Sequence, residues 1–155
     1  MRDREQNMPK IETEIFIAAP LATVYEVSKD IERFPEFFAD VESVKIIERT
    51  PTGFTSDWVG IVAKLNRKLK WREVDEWDDA THTCTYRAIA GDWDKYDGVW
   101  TFCEVDGGTR MHMQLDCDVN VPMIGAIIKG LIGKLAKANI DHMFEGIRRR
   151  SMGEI

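Results

Sequence analysis

The reading of the fold turns on two adjoining stretches, "RMHMQLDCDV" (110–119) and "VPMIGAIIKGLIGKLAKANIDHMFEGIRRR" (121–150). In the first, Met111, Met113, Leu115, Cys117 and Val119 alternate with Arg110, His112, Gln114, Asp116 and Asp118. A strict period of two with one apolar set predicts a strand with one face in a core and one face in water. Beyond Pro122 the period changes. Ile124, Ile127, Ile128, Leu131, Leu135, Ala138, His142 and Ile147 recur at helical spacing and roughly share a face. About 28 residues at 1.5 Å each make a helix of roughly 40 Å, long enough to cross a whole sheet. A half-buried strand feeding a helix of that length predicts a helix laid across a sheet.

The same alternation runs back toward the N-terminus. Strands are predicted over 41–49, 54–63, 68–77, 81–90, 95–105 and 110–119. The turn-forming stretches "TPTG", "LNR", "WDDAT", "AGDWD" and "DGGT" separate them. That spacing suits a meander of antiparallel hairpins. "IETEIFIAA" supplies one more strand, and Pro20 sits where a helix begins because its missing N–H is not needed there. Asp30 is a candidate cap and Pro35 breaks the segment, so two short helices in tandem follow the first strand. The fold class is α+β: a seven-stranded antiparallel curved sheet, two short helices after strand 1 and a long C-terminal helix. Residues 1–10 read as a flexible tail and 11–150 as one domain.

A curved sheet under one helix leaves a hollow, and parity says which side chains face it. Tyr96, Gly98, Trp100 and Phe102 share the bulky face of their strand, with Met111 and Met113 beside them on the next. Gly98 in mid-strand opens a local gap or marks a bulge. In "KLKWREVDEW" (68–77), Trp71, Glu73, Asp75 and Trp77 share one parity, so two carboxylates travel inward with the tryptophans. A carboxyl in an apolar hollow has a raised pKa and suits general acid–base work, which makes Glu73 and Asp75 the candidate catalytic residues. The same residue pattern also fits a wet rim. Trp58 and Tyr86 join the inner set by alternation. Ile127 and Leu131 fall on the helix face above it. Many amphipathic rings with a few polar groups are the usual lining of a small-molecule pocket, which runs to roughly 300 Å³ or more.

Other features exclude classes of function. The net charge is −6, which disfavours a phosphate backbone and hence a nucleic-acid partner. The longest apolar run is broken by Lys129, Lys134 and Lys137, so no transmembrane segment is expected. The charged start "MRDREQNMPK" has no apolar signal region, and a cytoplasmic location is expected. Cys84, Cys103 and Cys117 show no CxxC spacing and read as reduced core residues. His82, His112 and His142 lack metal-site spacing, so neither a metal nor a cofactor is expected. In "GDWDKYDGVWTF" (91–102) the aspartates fail the spacing of a calcium loop. Gly91 and Asp92 read as turn chemistry, and Asp97 should face solvent.

"IETEIFIAAPLATVYEVSKDIERFPEFFADVESVKI" (11–46), with the later "GDWDKYDGVWTF", resembles the polyketide cyclase/dehydrase and coenzyme Q-binding branch of the START-like (SRPBCC) superfamily. The resemblance runs from about Ile11 to Arg150. It implies the helix-grip fold and a cavity that binds lipids, quinones, polyketides or other hydrophobic molecules. Phe34 and Phe38 of "DIERFPEFF" join the candidate ligand-binding set: Phe34, Phe38, Trp58, Trp71, Tyr86, Tyr96, Trp100, Met111, Met113, Ile127 and Leu131. Aromatase/cyclases resemble this chain around "DIERFPEFF" and "LKWREVDEW". Where they carry a cavity serine and arginine on the fourth strand, this sequence has Glu73 and Asp75; where they carry a tyrosine after the second short helix, it has Val41. Two functions follow as expectations. One is binding or transport of a hydrophobic small molecule by a monomer or homodimer. The other is a polyketide aromatase/cyclase or dehydratase that uses the cavity carboxylates.

Overall fold

The computed structural model describes residues 10–119 and 126–155; the side chains of Val119, of 126–130 and of Ile132 lie outside that description. Strand β1 (Lys10–Ile17) leads into helix α1 (Leu21–Lys29) and a 3-10 helix (Ile31–Glu36). Pro20 stands at the N-cap of α1 and Pro35 lies inside the 3-10 helix. Strands β2 (Val41–Arg49), β3 (Gly53–Val62), β4 (Arg67–Asp78), β5 (Thr83–Gly91), β6 (Trp93–Val105) and β7 (Gly108–Val119) follow. A short 3-10 turn (Ala63–Leu65) joins β3 to β4, and α2 (Ala126–Ser151) ends the chain.

The seven strands form one antiparallel sheet in the order β1-β7-β6-β5-β4-β3-β2. Only β1 departs from a simple meander: it pairs with the last strand, placing Ile11 opposite Leu115 and Ile15 opposite Met111. The predicted strand over 41–49 coincides with β2, and the others shift by one or two residues at their ends. The described part of the helix begins at Ala126, so Ile124 of the expected helix face falls outside the described residues.

One concave face carries the core. Ile17, Val24, Phe34, Met111, Met113, Leu115, Phe144 and Ile147 are all 2% exposed or less. The helix meets the sheet through Ala136, Ile140, Met143, Phe144 and Ile147. This corrects the expected helix face. His142 is exposed and pairs through Nδ1 with Asp40 Oδ2 at 2.9 Å, and Ala138 also faces solvent. Ile147 of the expected row stays buried, but the buried row as a whole is turned by roughly 150° at 100° per residue, because Met143 and Phe144 bury more apolar area than Ala138 and His142. Cys103 corrects another expectation: it is exposed on the outer sheet face, whereas Cys84 and Cys117 are buried. Burial pushes the Cys117 thiol up to about 12.

Ring packing closes one end of the core. Tyr25 meets Trp77 and Phe102 edge-on, with centroids 5.3 Å away in each case, and Trp100 meets Phe144 at 6.2 Å. Tyr25 donates its hydroxyl hydrogen to Asp79 Oδ1 at 2.6 Å, which fastens α1 to the β4–β5 turn.

Candidate functional site

Between the sheet and α2 lies a cavity of about 120 Å³. Its axis follows β4. Along that strand Arg67 is exposed, Leu69 half-buried, and Trp71, Glu73 and Asp75 buried. Arg67 and the exposed Leu65 therefore mark the mouth, and Asp75 the closed end. The α2 side of the wall is made by Leu135, Ala136, Asn139, Ile140 and Met143.

The volume is smaller than the pocket expected from the sequence, and two glycines explain it. A Cβ at Gly98 would overlap the Tyr86 ring, so the gap in β6 is filled by a side chain from β5. At Gly60 a Cβ would stand 3.1 Å from Trp71 Cζ3, so the Trp71 ring lies flat across β3. It stacks on Trp58 at 5.7 Å and 11°, and Trp58 Nε1 donates to the buried Ser56 Oγ at 2.8 Å. Gly98, which reads in the sequence as a local gap or a bulge, instead admits a ring, as Gly60 does, and the hollow shrinks accordingly.

Trp71 also acts on the carboxyl pair. Its Nε1 donates to Glu73 Oε1 at 2.8 Å. Glu73 and Asp75 are each 4% exposed and hydrogen-bond to one another. Burial pushes both carboxyls above the usual range, because removing water penalises the charged form. For Asp75 the charge of Glu73 and their shared hydrogen bond push the same way. For Glu73 the hydrogen bonds from Asp75 and Trp71 oppose the rise. Burial thus favours a proton held by the pair rather than two charged carboxylates. Asp75 Oδ1, Tyr86 Oη, Trp93 Nε1 and Trp100 Nε1 are buried cavity atoms with no hydrogen-bond partner among the described residues.

The lining takes in Phe38, Trp58, Trp71, Glu73, Asp75, Tyr86, Tyr96, Trp100 and Met113 from the sequence-based set. Others of that set lie elsewhere. Phe34 is fully buried outside the cavity, edge-on to Trp58 at 6.0 Å. Met111 is buried opposite Phe102 in the solid part of the core. Leu131 is 38% exposed and is not part of the lining; the helix rotation turns it outward. The side chain of Ile127 lies outside the described residues.

Parity alone misses Trp93. It is three residues before Tyr96, which would put the two on opposite faces. A register shift between Trp93 and Lys95 inserts one residue and turns Trp93 inward, 4.9 Å from Tyr96. The signal was present in "AGDWD". Gly91 takes φ +111, and Asp92 binds the Lys70 backbone, donating its N–H to Lys70 O at 2.9 Å and accepting from Lys70 N at 2.7 Å. Asp97 faces solvent.

The sequence profile of the family described as polyketide cyclase/dehydrase and lipid transport matches residues 17–144. The chain belongs to that family. Its relatives include a Streptomyces cyaneus protein provisionally named a polyketide cyclase. That protein is 28% identical over 106 residues, which span 68% of this chain and 70% of the relative. Among solved structures, a Thermus thermophilus protein superposes with a TM-score of 0.88 at 29% identity, covering 94% of this chain and 99% of its own. The Zhui aromatase/cyclase of Streptomyces sp. R1128 superposes with a TM-score of 0.84 at 18% identity, covering 94% of each chain. At that identity the likeness speaks for the fold, which is the START-like helix grip. Among the described residues no helix is long and apolar enough to cross a membrane.

Proposed function

We propose that this family member binds a hydrophobic, polyketide-like small molecule in the cavity between the sheet and α2. The observation that carries the reading is a ring-walled cavity whose closed end holds buried polar atoms without protein partners. Native structures pair nearly all such atoms. A ligand that supplies partners there and lays an apolar body on Trp58, Trp71 and Tyr96 would account for both features. The cavity admits one ring, and a longer molecule would extend past Leu65 and Arg67 at the mouth. Native mass spectrometry of the protein isolated from its own source tests this. The expected result is a fraction carrying a non-covalent small-molecule mass increment that organic extraction removes. Uniformly ligand-free protein, unaltered in melting temperature by aromatic polyketide analogues, would overturn it.

A second reading, a cyclase or dehydratase, is favoured by the Glu73–Asp75 pair, because a carrier of apolar ligands has no need of two buried carboxyls. Glu73 would take the proton from a carbon beside a carbonyl. The resulting carbon nucleophile would attack a second carbonyl, and Asp75 would protonate that oxygen. The proton on Glu73 then returns to Asp75 through their hydrogen bond. For dehydration, Asp75 would protonate the departing hydroxyl, which leaves as water, while Glu73 takes the neighbouring C–H proton. The double variant Glu73→Gln, Asp75→Asn is expected to keep the fold and lose cyclisation of a linear poly-β-ketone thioester by at least about 100-fold, the usual scale of general acid–base catalysis. Unaltered turnover would remove this reading.

A further inference from the structure

The mouth of the cavity differs in charge from the rest of the chain. The turn and strand start that frame it, "AKLNRKLK" (63–70), hold four cations and no acid in a protein of net charge −6. Of these residues only Leu69 is not exposed. Leu65 and Arg67 border the opening itself. Helix α2 supplies the opposite lip. Phe144 packs on Trp100, level with Trp77 beyond the closed end. From there the helix runs toward the mouth as residue numbers fall, through Met143, Ile140 and Leu135 in the cavity wall. One turn further stands Leu131, 38% exposed, and Lys134 is exposed beside Leu135. Glu42 holds Lys68 and Asp141 holds Lys137, each at 2.7 Å. Lys64, Arg67, Lys70 and Lys134 have no ion-pair partner among the described residues. The nearby acids are otherwise engaged: Asp92 accepts from the Lys70 backbone N–H, and Asp40 in the wall pairs with His142.

We propose that this rim docks the protein on an anionic lipid surface, with the mouth toward the bilayer. Each cation close to such a surface adds attraction, and apolar side chains beside the cations enter the headgroup layer. The remainder of the chain is acidic and is repelled, so one orientation is favoured. At physiological salt the screening length is about 8 Å, so acids on the far side of the molecule count for little. An acidic protein partner would match the charge equally. A stable protein interface, however, needs roughly 800 Å² on each side and is anchored chiefly by clustered side chains such as Trp and Tyr. The rim offers two separate leucines, and the large exposed aromatic side chain among the described residues, Phe16, lies on β1. Docking by this rim lets an apolar molecule pass between bilayer and cavity without crossing water. It depends on the rim and not on which molecule the cavity holds.

The test is flotation of the full chain with vesicles of phosphatidylcholine alone and of phosphatidylcholine with about a third phosphatidylglycerol. The expected result is binding at least about tenfold tighter to the anionic vesicles at about 0.15 M salt. That preference is expected to collapse at about 1 M, where the screening length falls to about 3 Å. Lys64→Glu combined with Lys134→Glu is expected to weaken binding to the anionic vesicles at least about tenfold. Arg87→Glu combined with Arg110→Glu makes the same change of net charge at exposed positions of the outer sheet face and is expected to leave binding within about twofold. Leu65→Ser is expected to weaken binding severalfold through lost apolar contact. Equal binding to the two kinds of vesicle, or binding to neither, overturns the inference. So does an equal loss in the two double variants, which would make net charge and not the rim responsible. Binding to polyglutamate as tight as to the anionic vesicles, and indifferent to Leu65→Ser, also overturns it and assigns the rim to an acidic protein partner. None of these outcomes alters the small-molecule reading, which native mass spectrometry tests separately.

Discussion

At the scale of the residue, the decisive groups are Glu73 and Asp75. Each arrives at the cavity by the parity of a strand whose other inward residues are tryptophans. Their burial has a consequence for stability that can be measured. Both carboxyls are pushed up in the folded protein, chiefly by burial, whereas the unfolded chain releases those protons near pH 4. Between the unfolded and folded values the native state holds more protons, so stability declines as pH rises. The contribution is complete below about pH 4 and is lost progressively above it. Asp75→Asn has no proton to lose and retains a donor toward Glu73. In denaturant titrations, the variant is expected to gain on the wild-type protein as pH is raised from 5 to 8. The gain has a ceiling of about 1.4 kcal/mol per pH unit for one group. Parallel pH curves for the two proteins would contradict a proton held by the pair. Trp71 belongs to the same account, since its N–H to Glu73 favours ionisation of that residue over Asp75.

At the scale of the element, β6 shows how local backbone choices shape a wall. A bulge after Trp93 puts that ring on the same side as Tyr96, and glycine at 98 lets Tyr86 lie across the strand. Gly98→Ala is expected to destabilise the protein by about 1–3 kcal/mol, the range of overpacking in a filled core. The added methyl meets the hydroxyl end of the Tyr86 ring, whose burial limits how far it can move aside. The matching observation is a change in tyrosine near-ultraviolet dichroism with the far-ultraviolet signal retained. An unaltered melting curve would mean that Tyr86 does not occupy the gap. The helix offers the converse lesson. Several rows of α2 satisfy helical spacing, and the row through Ala136, Ile140, Met143 and Ile147 faces the sheet. Period gave the element but not its rotation, because that depends on which row matches the facing surface.

At the scale of the whole molecule, the sheet order and the cavity have different origins. Alternation, turn residues and the change of period after Pro122 determined from the sequence that seven strands, two short helices and one long helix exist. They also determined which side of most strands is apolar. Those features are local: each depends on the pleat or the helical repeat of a few neighbouring residues. Most of the candidate site was legible for the same reason, since Trp58, Trp71, Glu73, Asp75, Tyr86, Tyr96, Trp100 and Met113 are set by parity and line the cavity. What the sequence did not determine is relational. Phe34 and Met111 are inward-facing, yet they belong to the solid end of the core. Leu131 turns outward with the rotation of α2, and Trp93 turns inward through a bulge. The size of the hollow, the shared proton of Glu73 and Asp75, and the unpaired atoms at its closed end arise only when rings from β3, β4, β5 and β6 compete for one space. A period records the direction of a side chain; only the assembled sheet and helix decide how far it reaches and what it meets there.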